Sequence, residues 1–254
     1  MTMRRGDLAQ RFGSAVSYDA YARVQPHAAR HLTSLIERAV ARPARILEVG
    51  CGTGGLTKRL AALYPEAAVL ATDLAPGMLE RAATQVASAR VQFMPLNAED
   101  AAALARVGGD FDLVCSSLCA QWFTDRRGTL RRLAALVRPG GICALSILCN
   151  GTFPEWRLAH EACGVTPATP TFADEEDLRA DWAASGTARW SFESYTEPTQ
   201  TALAFMRGLR GLGADRPRPG HRPLSAGRMR RVMTRFERQG GTATYRVGYG
   251  VLLR

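Results

Sequence analysis

Lysine is almost absent from this chain: Lys58 stands alone, so nearly all of the basic charge is arginine, a bias that a GC-rich coding preference explains as readily as a selected chemistry. The six cysteines, Cys51, Cys115, Cys119, Cys143, Cys149 and Cys163, include no Cys-x-x-Cys pair and have no histidines at zinc spacing. A zinc ribbon or disulfide scaffold is therefore excluded in favour of buried free thiols. His27 and His31 lie four apart, but no glutamate follows the first and no third ligand is evident, so no metal is expected. The N-terminus, Met-Thr-Met-Arg-Arg-Gly-Asp-Leu, has no apolar stretch of the signal-peptide kind, and no uninterrupted apolar run reaches about 18 residues. A soluble cytoplasmic protein with no membrane partner is expected. What is present is ordinary globular composition: 254 residues, 46% hydrophobic and 22% charged, with a net charge of +10. That charge favours an acidic partner without saying which.

Residues 14 to 40 carry Val16, Tyr18, Tyr21, Val24, Ala28, Leu32, Leu35, Ile36 and Ala39 at helical spacing, with Pro26 expected to split the run into two short helices. From Ala44 the pattern alternates. Strands are expected at Arg45 to Val49, Ala67 to Thr72, Val91 to Met94, Phe111 to Ser116 and Ile142 to Leu148. Between them fall helices at Leu56 to Leu63, Pro76 to Val86, Glu99 to Ala105 and Arg127 to Val137, and a turn at Arg138-Pro139-Gly140-Gly141. Such alternation builds a parallel sheet with right-handed crossovers. After Asn150-Gly151 the prolines 154, 167 and 170 loosen the pattern into a cap. The chain then resumes with a strand-like Ala188 to Tyr195, a helix at Leu203 to Leu212, a loop at Asp215 to Pro223, a basic helix at Ser225 to Gln239 and an alternating strand at Thr242 to Leu253. The expected class is α/β, doubly wound and Rossmann-like. A single domain over 1–254 would comprise an N-terminal helical lid (1–43), a core (44–150), a cap and substrate-side segment (151–240) and a closing strand (241–254).

Ile46-Leu47-Glu48-Val49-Gly50-Cys51-Gly52-Thr53-Gly54 is an apolar strand that runs into a glycine turn, and Asp73 closes the next strand about twenty residues on. The glycines let backbone turn tightly and approach a ligand. The spacing is Gly-x-Gly-x-Gly, not Gly-x-Gly-x-x-Gly, and Glu48 adds a carboxylate where a pyrophosphate would have no use for one. A cationic, phosphate-free ligand suits it better. The stretch resembles the class I S-adenosylmethionine-dependent methyltransferases, which implies S-adenosylmethionine as cofactor and a mainly parallel seven-stranded sheet. By that resemblance the loop, with Glu48, Gly50, Cys51, Gly52 and Gly54, wraps the methionine end, and Asp73 takes the ribose hydroxyls. Leu74 and Met78 pack on the adenine, Asn97 (in place of the usual acid) and Ala98 meet its edge, and the backbone of Ser116 lines the methyl end.

The flanks narrow the substrate. No Asp/Asn-Pro-Pro-Tyr/Phe follows strand four, no Pro-Cys nucleophile is present, and the arginines form no stripe interleaved with aromatics, so nucleic acid is not expected as substrate. The segments Phe12-Gly13-Ser14-Ala15-Val16-Ser17-Tyr18-Asp19, Val24-Gln25, Ser117-Leu118-Cys119-Ala120-Gln121-Trp122 and Met206-Arg207-Gly208-Leu209-Arg210-Gly211-Leu212-Gly213-Ala214 together resemble the malonyl-acyl carrier protein O-methyltransferases of biotin synthesis. Gly151-Thr152-Phe153-Pro154-Glu155 and Arg222-Pro223-Leu224-Ser225 support the likeness. The resemblance implies methylation of the free carboxylate of malonyl-acyl carrier protein. A carboxylate is already a nucleophile at pH 7, so catalysis needs positioning more than a base. Tyr18, or Tyr21 one turn away, offers an orienting hydroxyl; Arg210 offers a planar carboxylate clamp; Gln121 and Trp122 sit at the carboxyl edge of the sheet. The basic helix is either a solvated face or the face that meets an acidic carrier protein. A small-molecule carboxylate methyltransferase, or a non-transferase relative of the assembly-factor or hydroxylase kind, remains the alternative.

Overall fold

An apolar run ending in glycine sets the centre of the sheet: Ile46, Leu47 and Val49 are buried on a strand that has neighbours on both sides. A parallel strand covered on both faces selects such a run over polar alternation. The computed structural model describes residues 18–212, 214, 217–218 and 220–254. In chain order these form α1 (Tyr18–Tyr21), α2 (Val24–Ala39), β1 (Arg45–Val49), α3 (Gly55–Leu63), β2 (Ala68–Asp73), α4 (Pro76–Gln85), β3 (Val91–Pro95), α5 (Ala101–Val107) and β4 (Phe111–Ser117). A 3₁₀ turn (Ala120–Trp122) then leads to α6 (Arg126–Ala135), β5 (Val137–Leu148), α7 (Pro154–Glu161), α8 (Glu175–Trp182), β6 (Thr187–Pro198), α9 (Ala202–Gly211), α10 (Ala226–Arg238) and β7 (Thr242–Leu253).

The sheet order is β3-β2-β1-β4-β5-β7-β6, with β7 antiparallel to both its neighbours and the β1–β5 pairings all parallel. This is the expected doubly wound, mainly parallel seven-stranded sheet. The order switches between β1 and β4, which opens a crevice beyond their carboxyl ends. One face is covered by α2 and α3 through Ala28, Leu32, Ile36, Leu56 and Leu60, and by an aromatic group of Trp156, Phe205 and Phe236. The other is covered by α5, α6 and α8 through Leu104, Leu130, Leu133, Leu178 and Trp182. Asp181 on α8 is 1% exposed and accepts from Arg126 Nε at 2.5 Å and Arg127 Nε at 3.0 Å. Two charge-assisted bonds thus offset the desolvation of this acid and tie the cap to the core.

Four expectations change. The N-terminal break falls at Ala22–Arg23, not at Pro26, which is the third residue of α2. There its missing N–H costs nothing, because the first-turn donors have no helical acceptor. Arg138-Pro139-Gly140-Gly141 is no turn between elements but the opening of β5. The register steps from Phe111↔Val137 to Leu113↔Ile142, an irregularity that Gly140 at φ +77° absorbs while Arg138 reaches Asp112 at 2.5 Å. Val137 pairs with β4, so α6 stops at Ala135 rather than running to it. The helix expected from Glu99 begins at Ala101, because Asp100 caps it by accepting from the N–H groups of Ala102 and Ala103. Residues 14–17 of the expected N-terminal helix, Phe12 to Ser17 of the N-terminal segment, Gly213, and Asp215, Arg216 and Pro219 of the loop lie outside the described residues. All six cysteines are free. Among the described residues no helix is long and apolar enough to cross a membrane, and no cluster of three or more His, Cys, Asp or Glu is arranged to hold a metal.

Candidate active site

The turn after β1 holds Gly50, Gly52 and Gly54 at φ +71°, +56° and +89°, which side-chain-bearing residues resist. At Gly50 a Cβ would also lie 2.3 Å from Cys119 Sγ, so the loop and the segment after β4 close on each other only without it. Cys51 N–H bonds the Thr72 carbonyl at 2.9 Å, and Gly52 N–H donates to Asp73 Oδ2 at 2.9 Å. Asp73 Oδ1 accepts from Ala75 N–H at 2.9 Å. The loop, β2 and the start of α4 thus share one carboxylate. Burial raises the Asp73 pKa; hydrogen bonds from Ala75, Gly52 and Leu74 and the charge of Arg81 oppose the rise.

Above this loop lies a cavity lined by Gly50, Gly52, Asp73, Leu74, Met78, Asn97, Ala98, Gln121 and Trp122 among the residues expected at a site. Asn97 Oδ1 already accepts from Glu99 N–H at 3.1 Å. Gln121 Nε2 donates to the Leu118 carbonyl at 2.6 Å, which leaves its Oε1 buried without a partner; Gln25 Oε1 is likewise buried and unpartnered, and Gln25 lines the same cavity.

Other expected residues stand behind the wall or beside it. Glu48 is 1% exposed and accepts from the Thr57 hydroxyl at 2.6 Å, under the loop rather than in the cavity. Burial lifts its pKa to about 7, against the Thr57 bond and with help from Asp73. Cys51 is buried, and burial, Glu48 and Asp73 push its thiol far up, which suits no nucleophile. Gly54 turns the chain into α3, where a Cβ would meet Val86 at 3.0 Å. Ser116 donates to the Val49 carbonyl at 2.8 Å and pins β4 to β1, while its neighbours Ser117, Leu118 and Cys119 line the cavity. The Tyr18 side chain lies outside the described residues. Arg210 lines a second cavity, which adjoins the first through the shared residues Thr169, Leu209 and Ala214. Tyr21 packs closely enough on α9 that a Cβ at Gly211 would lie 2.1 Å from its Cδ2.

Several lining residues had no motif of their own in the sequence. Phe153, Phe172, Leu209 and Tyr245 come from the cap, α9 and β7. Phe153 and Leu209 fall inside segments that carried the family likeness; Phe172 and Tyr245 had no such signal. Leu118 and Phe153, both on the cavity, hold φ of +49° and +56°, strain of the kind that collects where chain must be aimed at a ligand.

Among the described residues the lining contains no lysine or arginine, while Asp73, Glu99 and the two carboxamide oxygens offer acceptors. Such a lining suits a donor-rich, positively charged ligand. A family model described as a methyltransferase domain matches residues 46–141. Malonyl-acyl-carrier-protein O-methyltransferase of Magnetococcus marinus is 35% identical over 256 residues, covering 99% of this chain and 93% of that one. The chain belongs to the malonyl-acyl-carrier-protein O-methyltransferase family. The biotin biosynthesis bifunctional protein BioCD of Bordetella avium is 39% identical over 96% of this methyltransferase, which spans 51% of that longer protein. A solved phosphoethanolamine N-methyltransferase 2 of Haemonchus contortus, in complex with phosphomonomethylethanolamine and S-adenosylhomocysteine, shares the fold at TM-score 0.60 and 14% identity, covering 99% of this chain and 61% of its own. This methyltransferase is S-adenosylmethionine-dependent, and the acceptor-lined cavity fits that sulfonium cofactor.

Proposed function

We propose that this methyltransferase, acting in the cytoplasm, esterifies the free carboxylate of malonyl-acyl carrier protein with the methyl group of S-adenosylmethionine, for biotin synthesis. The observation that carries the reading is the near full-length relationship to proteins of that name, at 35% identity over 99% of the chain. The cavity supports it. Around Ser117, Leu118, Trp122, Phe153 and Tyr245 no histidine is found among the described lining residues, burial pushes the Tyr245 hydroxyl far up, and the lining carboxylates Asp73 and Glu99 already accept backbone N–H groups. A hydroxyl or ammonium substrate would need a base there; a carboxylate, ionised at neutral pH, does not.

When bound, the cofactor supplies a methyl group on sulfonium. Asp73 would hold its ribose, Leu74 and Met78 its adenine face, Asn97 and Ala98 the adenine edge, and Gly50 and Gly52 the methionine end. Glu48, Cys51, Gly54 and Ser116 would support them from behind. The substrate carboxylate would receive that methyl group as an already ionised nucleophile, so these residues would bind and orient it and none would need to take a proton. Gln121 and Trp122 would border the oxygen, with Tyr18 from the lid and Arg210 from the adjoining cavity as orienting donors. The acidic carrier would meet α10, where Arg230, Arg231, Arg235 and Arg238 surround one hollow with Thr234 and Cys163.

The test is mass spectrometry of malonyl-carrier protein and of free malonate after incubation with enzyme and S-adenosylmethionine. A gain of one methyl group on the carrier-bound acid alone is the expected result. Methylation of free malonate alone would replace the reading with a small-molecule enzyme, and methylation of neither would end it.

A further inference from the structure

A substrate tethered to a carrier protein cannot deliver its acyl end to an enclosed methyl group unless a slot admits the tether. Beside the cofactor cavity lies a second cavity among α7, α9 and α10, and the two share Thr169, Leu209 and Ala214 as a common boundary. Its walls are apolar in the main, with Trp156, Met206, Leu224 and Met229. Trp156 packs edge-on against Phe236 at 5.3 Å between ring centroids, so this wall is anchored in the core.

Resting on the reading that the substrate is carrier-bound, we propose that this second cavity is the channel for the prosthetic arm of the acyl carrier protein, the thioester-bearing chain with its amides. Three features beyond the shared boundary support this occupant. First, basic charge lies on the same helix: α10 lends Met229 to the channel wall, and on another face its Arg230, Arg231, Arg235 and Arg238 line a separate hollow. An acidic carrier seated on those arginines would rest on the helix that walls the channel. Second, the outer residues combine an exposed Leu203 with the exposed Arg207 and Arg210, an apolar and cationic pairing suited to the phosphate-to-carbon junction of such an arm. Third, the channel holds a polar group matched to amides. His160 is 1% exposed, and its Nδ1 lies 2.8 Å from the Trp156 carbonyl. That contact requires the proton on Nδ1 and leaves Nε2 as an acceptor for an amide N–H. Burial, opposed by the Trp156 bond, keeps the ring neutral by lowering its pKa.

The experiment narrows the channel with Met206→Trp and, separately, Met229→Trp, positions that line the second cavity and not the first. Affinity for S-adenosylhomocysteine by calorimetry reports whether each variant keeps the fold. Affinities for carrier protein with and without its prosthetic arm are then compared. The wild type is expected to bind the armed form at least tenfold more tightly, and at least one variant that keeps its cofactor affinity to lose that preference. In turnover, the ratio of kcat/KM for malonyl-carrier protein to that for a truncated malonyl thioester should fall at least tenfold. An unchanged preference in both variants, or equal losses with carrier and truncated thioester, overturns the channel. Absence of any arm preference in the wild type overturns it as well. Methylation of free malonate alone would instead overturn the carrier-bound reading, whereas methylation of the carrier-bound acid with no arm preference overturns the channel alone.

Discussion

The cofactor side and the cap side of this molecule are built on opposite plans. On the cofactor side the ends of two neighbouring strands do most of the work: Gly50 and Gly52 turn the chain, and Asp73 accepts from the backbone of both its own turn and the glycine loop. Polar groups there are buried and largely fixed by backbone. On the cap side, Phe153, Thr169, Leu209 and Tyr245 reach one cavity from the N-cap of α7, a loop, α9 and β7, and most contribute carbon rather than hydrogen bonds. A ligand common to many enzymes is read by rigid local geometry, whereas a substrate particular to one family is read by a surface assembled from distant segments.

Substitutions should separate the two sides. The largest effect is expected from Gly50→Val, which needs a left-handed backbone and puts Cβ at 2.3 Å from Cys119 Sγ. S-adenosylhomocysteine affinity by calorimetry should fall by more than about 100-fold, a loss of roughly 3 kcal/mol. On the cap side, the double change Arg231→Glu and Arg235→Glu should raise KM for malonyl-carrier protein about tenfold, with a reduced salt dependence and no change in cofactor affinity. Equal damage to both would break the division.

Glu48 tests the cofactor side by pH. Its folded pKa, raised to about 7 by burial, means that the folded state holds a proton the unfolded chain has released. Its contribution to stability is therefore present at low pH and lost as pH rises from the ordinary carboxylate range through 7. Glu48→Gln should raise Tm at pH 8 and leave it nearly unchanged at pH 4. A bound sulfonium favours the ionised form, so S-adenosylmethionine affinity should rise about fivefold from pH 6 to pH 8 in the wild type and stay flat in the variant. The smallest change is Asn97→Asp: a second acceptor oxygen at the adenine edge should tighten cofactor binding about threefold, worth roughly 0.7 kcal/mol, with KM for the carrier substrate unchanged.

How much of this was legible follows the same division. The strands of the core, the glycine loop and Asp73 were readable because each depends on neighbours within a turn or a strand. Reading failed where a residue's meaning depends on its position within an element: Pro26 looks like a breaker until it is seen in a first turn, and Pro139-Gly140-Gly141 looks like a connection until β4 pairs across it. Glu48 was legible as a carboxylate near the cofactor, but not as one turned under the loop onto Thr57. The local apolar pattern says that a strand residue is buried, and it does not say on which side of a loop its carboxylate ends.

The amino-acid sequence by itself determined the alternation of elements, the glycine turn with its acid, and the family, because those rest on local stereochemistry and on segments that remain recognisable one by one. Only the tertiary structure decided that Gln25, Gln121 and Tyr245 face one cavity, that Arg210 stands at the cavity next to it, and that one face of α10 borders that cavity while its arginines line another hollow. Those placements bring together residues from separate elements, as far apart in the chain as Gln25 and Tyr245, and no local preference encodes a meeting at that range.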